Sequence, residues 1–317
     1  MGSRSLIAAS VAVLLALSAT ARAEFPGRPL TIIVPAGAGG GGDTTTRILA
    51  RELEGVFKQP ITIVNQGQGG GVVGLTTLKN AKPDGYTVGL LFPYAGYKAT
   101  GAADFQLKDF SPIANFNGDS SALFVGANSP FKDLRSALDA IKAEPAKYKV
   151  HCSGGCGSVW DVPVAGMMLD DGKVNWIPGQ GAASGLTELA AGGVDFQTAS
   201  LPEASALMGA GRVRALAVLS PEPVRGFESV PTAEQAIGVA IDGGTWRALG
   251  GPAGVPAAQV KAWEAAMQKA VASDAFQAAM AKAKFGVKWL DTGELTALMK
   301  QHETDTERVM QALGRGK

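Results

Sequence analysis

"VPAGAGGGGDTTTR", residues 34–47, is the stretch on which the reading of this chain turns. Five of the six residues from Gly37 to Gly42 are glycine. They stand between a strand-like run, Leu30 to Val34, and a helix-like run from about Asp43 to Phe57. In the latter, Ile48, Leu49, Leu53, Val56 and Phe57 fall on one face. Chain without side chains at such a junction presents backbone N–H groups, and a helix amino end adds partial positive charge. The stretch therefore reads as a loop that receives an anion.

Working outward, the same order of strand, glycine-rich junction and helix recurs. Ile61 to Val64 is a strand followed by Gln66-Gly67-Gln68-Gly69-Gly70-Gly71, and Lys82-Pro83-Asp84-Gly85 is a turn before a strand at Thr87 to Phe92. A second series has strands at Ala122 to Ala127, Tyr148 to His151, Val174 to Ile177, Val194 to Ala199 and Ala215 to Leu219. Helical patterns lie near 134–143, 163–170, 185–191 and 202–209. Two further junctions fall here, Cys152 to Ser158 and Pro178 to Ser184. Alternation of this kind predicts an α/β fold with mainly parallel sheets. Ligands in such folds sit at the carboxyl ends of strands, so four junctions, two from each half, predict one cleft that faces an anionic ligand from both sides. From Ala257 the chain is Ala-rich and reads as three helices, Ala257 to Val271, Asp274 to Lys284 and Gly293 to Leu313, a scaffold packed on one lobe.

The amino end places this chemistry outside the cytoplasm. Arg4, an apolar run from Leu6 to Leu17 and Ala21-Arg22-Ala23 read as a secretion signal, residues 1–23, cleaved after Ala23. The run is short of the ~20 residues that span a bilayer, and no cysteine follows Ala23 to carry a lipid. The exported chain carries 27 basic and 28 acidic residues, a near-neutral balance that gives no sign of a nucleic-acid partner.

Other chemistries fit less well. Gly37-x-Gly39-x-x-Gly42 matches a dinucleotide fingerprint formally, but glycine runs do so by chance, and Asn65 stands where an acidic ribose ligand is wanted. No Gly-Lys-Ser/Thr P-loop and no Gly-x-Ser-x-Gly elbow is present, and the chain has two histidines. Asp43 reads as a helix-start acid paired with Arg47 that holds the loop with its N–H groups outward, with Thr44, Thr45 and Thr46 as further hydroxyls. His151-Cys152-Ser153-Gly154-Gly155-Cys156 admits a small-loop disulfide, a metal site on His151, Cys152 and Cys156, or a thiol nucleophile. The last is weakest, because adjacent strand residues point to opposite faces. Trp160, Trp176 and Trp246 read as core aromatics or as cleft walls.

With those residues in view, the sequence resembles the solute receptors of tripartite tricarboxylate transporters, the TctC-like or Bug receptors. "FPGRPLTIIVPAGAGGGGDTTTRILA" is similar to the family's opening, with Pro29, Pro35, Gly39 to Gly41, Asp43 and Arg47 in place. "KPDGYTVGLL", "CSGGCGS", "IPGQGAASGLTELAAGGVDFQTASLPEA", "VRALAVLS", "VPTAEQAIG" and "GPAGVP" follow in family order. The resemblance implies a two-lobed periplasmic binding protein of Venus-flytrap type, monomeric and without catalytic residues, metal or cofactor. Such a receptor captures a small carboxylate, a di- or tricarboxylate or an aromatic one, and delivers it to membrane permease subunits. Carried over residue by residue, the ligand-binding set is Ala38, Gly39, Gly40 and Asp43 from one lobe. From the other come Ser153, Ser158, Gly181, Ala182 and Ala183, with Asp195 at the polar end of the ligand. Ala36-Gly37, Gly42, Cys152, Cys156 and Val159 to Pro163 depart from the family pattern around the pocket, so the ligand's identity is not carried over.

The expected lobes are 24–123 plus 226–317 and 124–225, with crossings near Leu123 to Val125 and Ser220 to Val230. Two rival readings keep part of this description: a ligand-binding sensor subunit for a signalling kinase, and a secreted thiol- or metal-dependent enzyme using His151, Cys152 and Cys156.

Overall fold

A computed structural model of the chain describes residues 25–99, 101–152, 174–179, 181–241 and 243–312. The expected signal segment and the stretch 153–173, with its predicted helix, lie outside the described residues.

Strands β1 (Leu30–Val34), β2 (Ile61–Asn65) and β3 (Thr87–Leu91) are parallel, in the order β2-β1-β3. In β1, Leu30, Ile32 and Val34 face one way and Ile33 the other, as the two-residue strand period requires. Both faces are covered, which is the usual condition of a parallel sheet. Helix α1 (Gly41–Phe57) lays Leu49, Ala50 and Leu53 over the first face, with Trp263 and Met267 of a C-terminal helix, Ala257–Val271. Helix α2 (Val72–Lys79) lays Leu75 and Leu78 over the second, beside Tyr94 and Tyr97.

The two halves are joined by one long strand. β4 (Phe110–Gly126) pairs from Phe110 to Ser120 with β9 (Gly244–Pro252), and from Ser121 to Gly126 with β7 (Phe196–Ser200) and β8 (Val213–Leu219). β5 (Lys149–Cys152) and β6 (Asn175–Pro178) continue the second sheet, parallel to β7, and β10 (Val287–Leu290) adds to the first part of β4. Directions follow from these pairings. β3 and β4 are each antiparallel to β9, so the carboxyl ends of β1, β2 and β3 point along β4 toward the second sheet. β7 is antiparallel to β4, so the carboxyl ends of β5, β6 and β7 point back toward the first. The result is the expected α/β, two-lobed binding-protein architecture.

Two features of the structure differ from the sequence reading. The first half of β4, β9 and β10 had no counterpart among the expected strands. Helix α1 begins at Gly41 rather than Asp43. In the second core, Ala233, Ile237 and Ile241 pack with Leu123, Val125, Val150 and Phe196 of the second sheet.

A buried ionic network fastens the crossing. Arg247, on β9, donates to Asn117 Oδ1 at 2.6 Å and Asp119 Oδ2 at 2.8 Å, both on β4, and to Glu203 Oε1 at 3.3 Å, on the helix that follows β7. Asp119 Oδ1 accepts the Gly286 N–H at 2.8 Å. All three charged side chains are buried. Removing one member of such a group strands the others in a low-dielectric interior. Arg247→Leu therefore lowers unfolding stability by about 3–5 kcal/mol in urea titration; a loss under about 1 kcal/mol contradicts the assignment.

A half-buried histidine gives the fold a pH signature. His302, on helix Thr292–Ala312, stands edge-on to Trp246 with ring centroids 6.3 Å apart. Burial pushes its imidazole down to about 4, with Asp305 opposing. The unfolded chain titrates near 6.5, so this contribution is complete above that pH and is lost as pH falls through 4. The melting temperature drops more steeply between pH 6.5 and 4 in the wild type than in His302→Gln; parallel curves contradict this.

Candidate functional site

The facing strand ends carry the glycine-rich junctions. After β1, Ala38 and Gly39 are exposed and Gly40 is half-buried, so this backbone is open to the space between the sheets. Asp43 is buried and turned inward. Its Oδ2 accepts the Gly39 N–H at 2.9 Å, while Oδ1 accepts from Arg47 Nε at 2.9 Å and Asn65 Nδ2 at 3.0 Å. Burial acts to raise its pKa, but the hydrogen bonds from Arg47, Gly39 and Asn65 outweigh it and hold the carboxyl below its ordinary value. Asp43 thus acts as the brace of the loop, with both oxygens engaged inside the protein.

The junction after β2 packs directly on the first. A Cβ placed on Gly67 would lie 2.7 Å from the Gly37 nitrogen and 2.8 Å from the Ala36 carbonyl carbon, so glycine is required for the two loops to meet. Tyr97 Oη donates to the Gly70 carbonyl at 2.5 Å and secures the second loop from below. Asn65 joins the two loops, donating to the Ala36 carbonyl at 3.3 Å as well as to Asp43.

In the second lobe, Gly181 precedes the helix Ala182–Ala191 at the carboxyl end of β6, and Ala182 and Ala183 form its first turn. The Gly179 N–H donates to the Cys152 carbonyl at 2.9 Å and ties the end of β6 to the end of β5. Beneath this loop lies His151, 2 % exposed. A Cβ on Gly179 would fall 1.9 Å from its Nε2, and one on Gly185 2.2 Å from its Nδ1, so the imidazole is clasped between two glycines. Burial lowers its pKa, with Glu188 and Gln197 opposing. His151 supports the loop from inside, and Cys152 is engaged in a disulfide. Among the described residues no cluster of three His, Cys, Asp or Glu side chains is placed to hold a metal. Ser153, Ser158, Cys156 and Trp160 lie outside the described residues.

Of the remaining candidates, Trp246 is buried in the first lobe's core and Trp176 packs against the second. Asp195 stands apart. It precedes the amino end of β7, where its Oδ2 accepts the Lys149 N–H at 2.8 Å, and it lines a groove with Tyr148 and Arg212. That is the opposite end of the sheet from Gly181, so the structure does not bring Asp195 to the cleft.

Glu203 is the residue at the cleft that sequence reasoning missed. It is the third residue of the helix Leu201–Gly209, and its Oε1 accepts the Gly41 N–H at 3.1 Å, a direct bond from the second lobe to the amino end of α1. Ser200-Leu201-Pro202-Glu203 carries a legible capping-box signature, Ser-x-x-Glu, which the structure realises. Nothing local in the sequence pairs it with Gly41 or Arg247.

A profile described as "Tripartite tricarboxylate transporter family receptor" matches residues 45–315. A UPF0065 protein of Bordetella pertussis is 31% identical over 273 residues, 84% of each chain. Among solved structures, a TctC solute-binding protein from Polaromonas is 31% identical with a TM-score of 0.66, covering 90% of this chain and 99% of that one. MatC from Rhodopseudomonas palustris, with bound malate, is 25% identical with a TM-score of 0.83, covering 90% and 100%. The chain belongs to the tripartite tricarboxylate transporter receptor family of periplasmic solute-binding proteins.

Proposed function

We propose that this receptor captures a small carboxylate between the Ala38–Gly40 loop of one lobe and the Gly181–Ala183 turn of the other, and hands it to the membrane subunits of a tripartite tricarboxylate transporter. The observation that carries this reading is the direction of the strands. β1, β2 and β3 end facing the ends of β5, β6 and β7, and glycine-rich loops leading into helix amino termini occupy both sides. Backbone N–H groups and helix dipoles there favour negative charge without a cationic side chain. Asp43 keeps the first loop in shape. Ser153 and Ser158 complete the second side in this proposal, and the malate held by MatC supports a carboxylate as cargo.

Closure is the means of signalling occupancy. Both loops touch one solute only when the lobes are together, so binding shifts an open–closed equilibrium toward the form that the membrane subunits read. The chain works as a monomer in the periplasm after cleavage at Ala23. Among the described residues no helix is long and apolar enough to cross a membrane.

A thermal-shift screen of the exported chain against mono-, di- and tricarboxylates, with the matching amides as controls, tests the reading. A ligand that binds only the folded state adds about 2.7 kcal/mol at a hundred times its Kd. A rise in melting temperature with a carboxylate and none with its amide is the expected result; a flat response across the panel contradicts it. Gly40→Val then tests the loop. Backbone at Gly40 is extended (φ −73°, ψ 171°), and a Cβ there meets the Gly37 carbonyl oxygen at an ordinary 3.5 Å. The variant should melt cooperatively yet show no carboxylate shift, and a shift equal to the wild type's would show that the loop takes no part.

A further inference from the structure

The amino end of α1 already holds a carboxylate, and it is the protein's own. Glu203 Oε1 accepts from the Gly41 N–H at 3.1 Å and from Arg247 Nη2 at 3.3 Å. Its Oε2 accepts from Ser200 N–H at 3.2 Å and Ser200 Oγ at 2.9 Å. Four donors from three segments fix the orientation of the group, and its side chain is 7% exposed. Position 41 is committed to this arrangement, since a Cβ there would lie 2.5 Å from Glu203 Oε1 and 2.7 Å from Arg247 Nη2. The neighbouring donor is also engaged, because the Gly39 N–H goes to Asp43. The first lobe's loop thus has two of its N–H groups turned to internal carboxylates.

Two acidic side chains meet at this point, and Asp119 and Glu203 both pair with the guanidinium of Arg247. Burial first, and Glu203 as a like charge, push the Asp119 carboxyl up. A second carboxylate brought by a solute to the same helix end would meet Glu203 in the position it needs, as a like charge.

We propose that Glu203 is a specificity-determining residue. By filling the anion position at the amino end of α1, it makes this receptor selective for solutes with one carboxylate, held by the Gly181–Ala183 turn, whose other end is uncharged and lies against Ala38 to Gly40. The inference rests on the carboxylate-receptor reading and narrows its ligand class from small carboxylates in general to monocarboxylates.

Calorimetric titration of the full exported chain with matched pairs tests it: butanoate against succinate, hexanoate against adipate, benzoate against terephthalate. In the wild type, the monocarboxylate of at least one pair binds at least tenfold more tightly than its dicarboxylate. Glu203→Gln keeps an acceptor for Gly41 and removes the charge, and it should narrow that ratio at least tenfold. A wild type that prefers the dicarboxylate in every pair it binds overturns the proposal without any variant. So does an unchanged ratio in a Glu203→Gln protein that still melts cooperatively. Carboxylate binding with either of those outcomes leaves the receptor reading standing, whereas binding of no carboxylate overturns both.

Discussion

One strand belongs to two sheets, and that constraint determines where a ligand can sit. β4 changes partners between Ser120 and Ser121: before that point it pairs with β9, after it with β7 and β8. β7 and β8 both end opposite Ser121, at Ser200 and Leu219, while β9 begins opposite Ser120, at Gly244. Every element that crosses between the lobes is therefore pinned to one level. The parallel strands on either side must end facing it, and their loops must face one another.

The same level is where charge is concentrated. Arg247, Asp119 and Asn117 lie on the crossing strands themselves, Glu203 comes from the second lobe, and Gly41 from the first. A fully hydrogen-bonded buried network resists rearrangement because each polar atom released would lack a partner. Such a network fixes the geometry of the crossing, while Ala38 and Gly39 above it stay exposed. Carboxylates of the protein have two roles in this scheme. Asp43 shapes the first loop from within, and Glu203 occupies the helix end that the loop leads into.

Much of this was legible in the sequence where the determinant was local. The strand Leu30–Val34 alternates cleanly between two cores, and the C-terminal helix at Ala257–Val271 was found with its observed ends. The glycine junctions marked the right strand ends. Elements whose cause lies elsewhere in the chain were not legible. The first half of β4 contains Pro112, Asn115, Asn117 and Gly118, which argue against a strand, and β9 contains Gly244, Gly250, Gly251 and Pro252. Both persist because they pair with each other: Asn117 accepts from Arg247 across that pairing, and Asn115 donates to the Lys288 carbonyl on β10. α1 begins two residues before Asp43 because glycines with no side-chain cap continue the helix backward, a start that residue preferences alone do not mark. Asp195 was carried over as a contact for the polar end of the ligand, yet its place before the amino end of β7 depends on strand direction, which a single sequence does not state. Glu203 shows the same limit: its capping box could be read, its partner across the cleft could not.

In the proposed receptor, backbone from both lobes touches one solute. Amide chemical-shift mapping of the isotopically labelled exported chain, titrated with a carboxylate that raises its melting temperature, tests this most directly. Saturable shifts with one common Kd are expected at Ala38, Gly39 and Gly40 and at Gly181, Ala182 and Ala183, together with smaller changes along β4 around Ser120 and Ser121. Shifts confined to one of the two loops, or gathered around Asp195 and Arg212 at the far end of the second sheet, would contradict it.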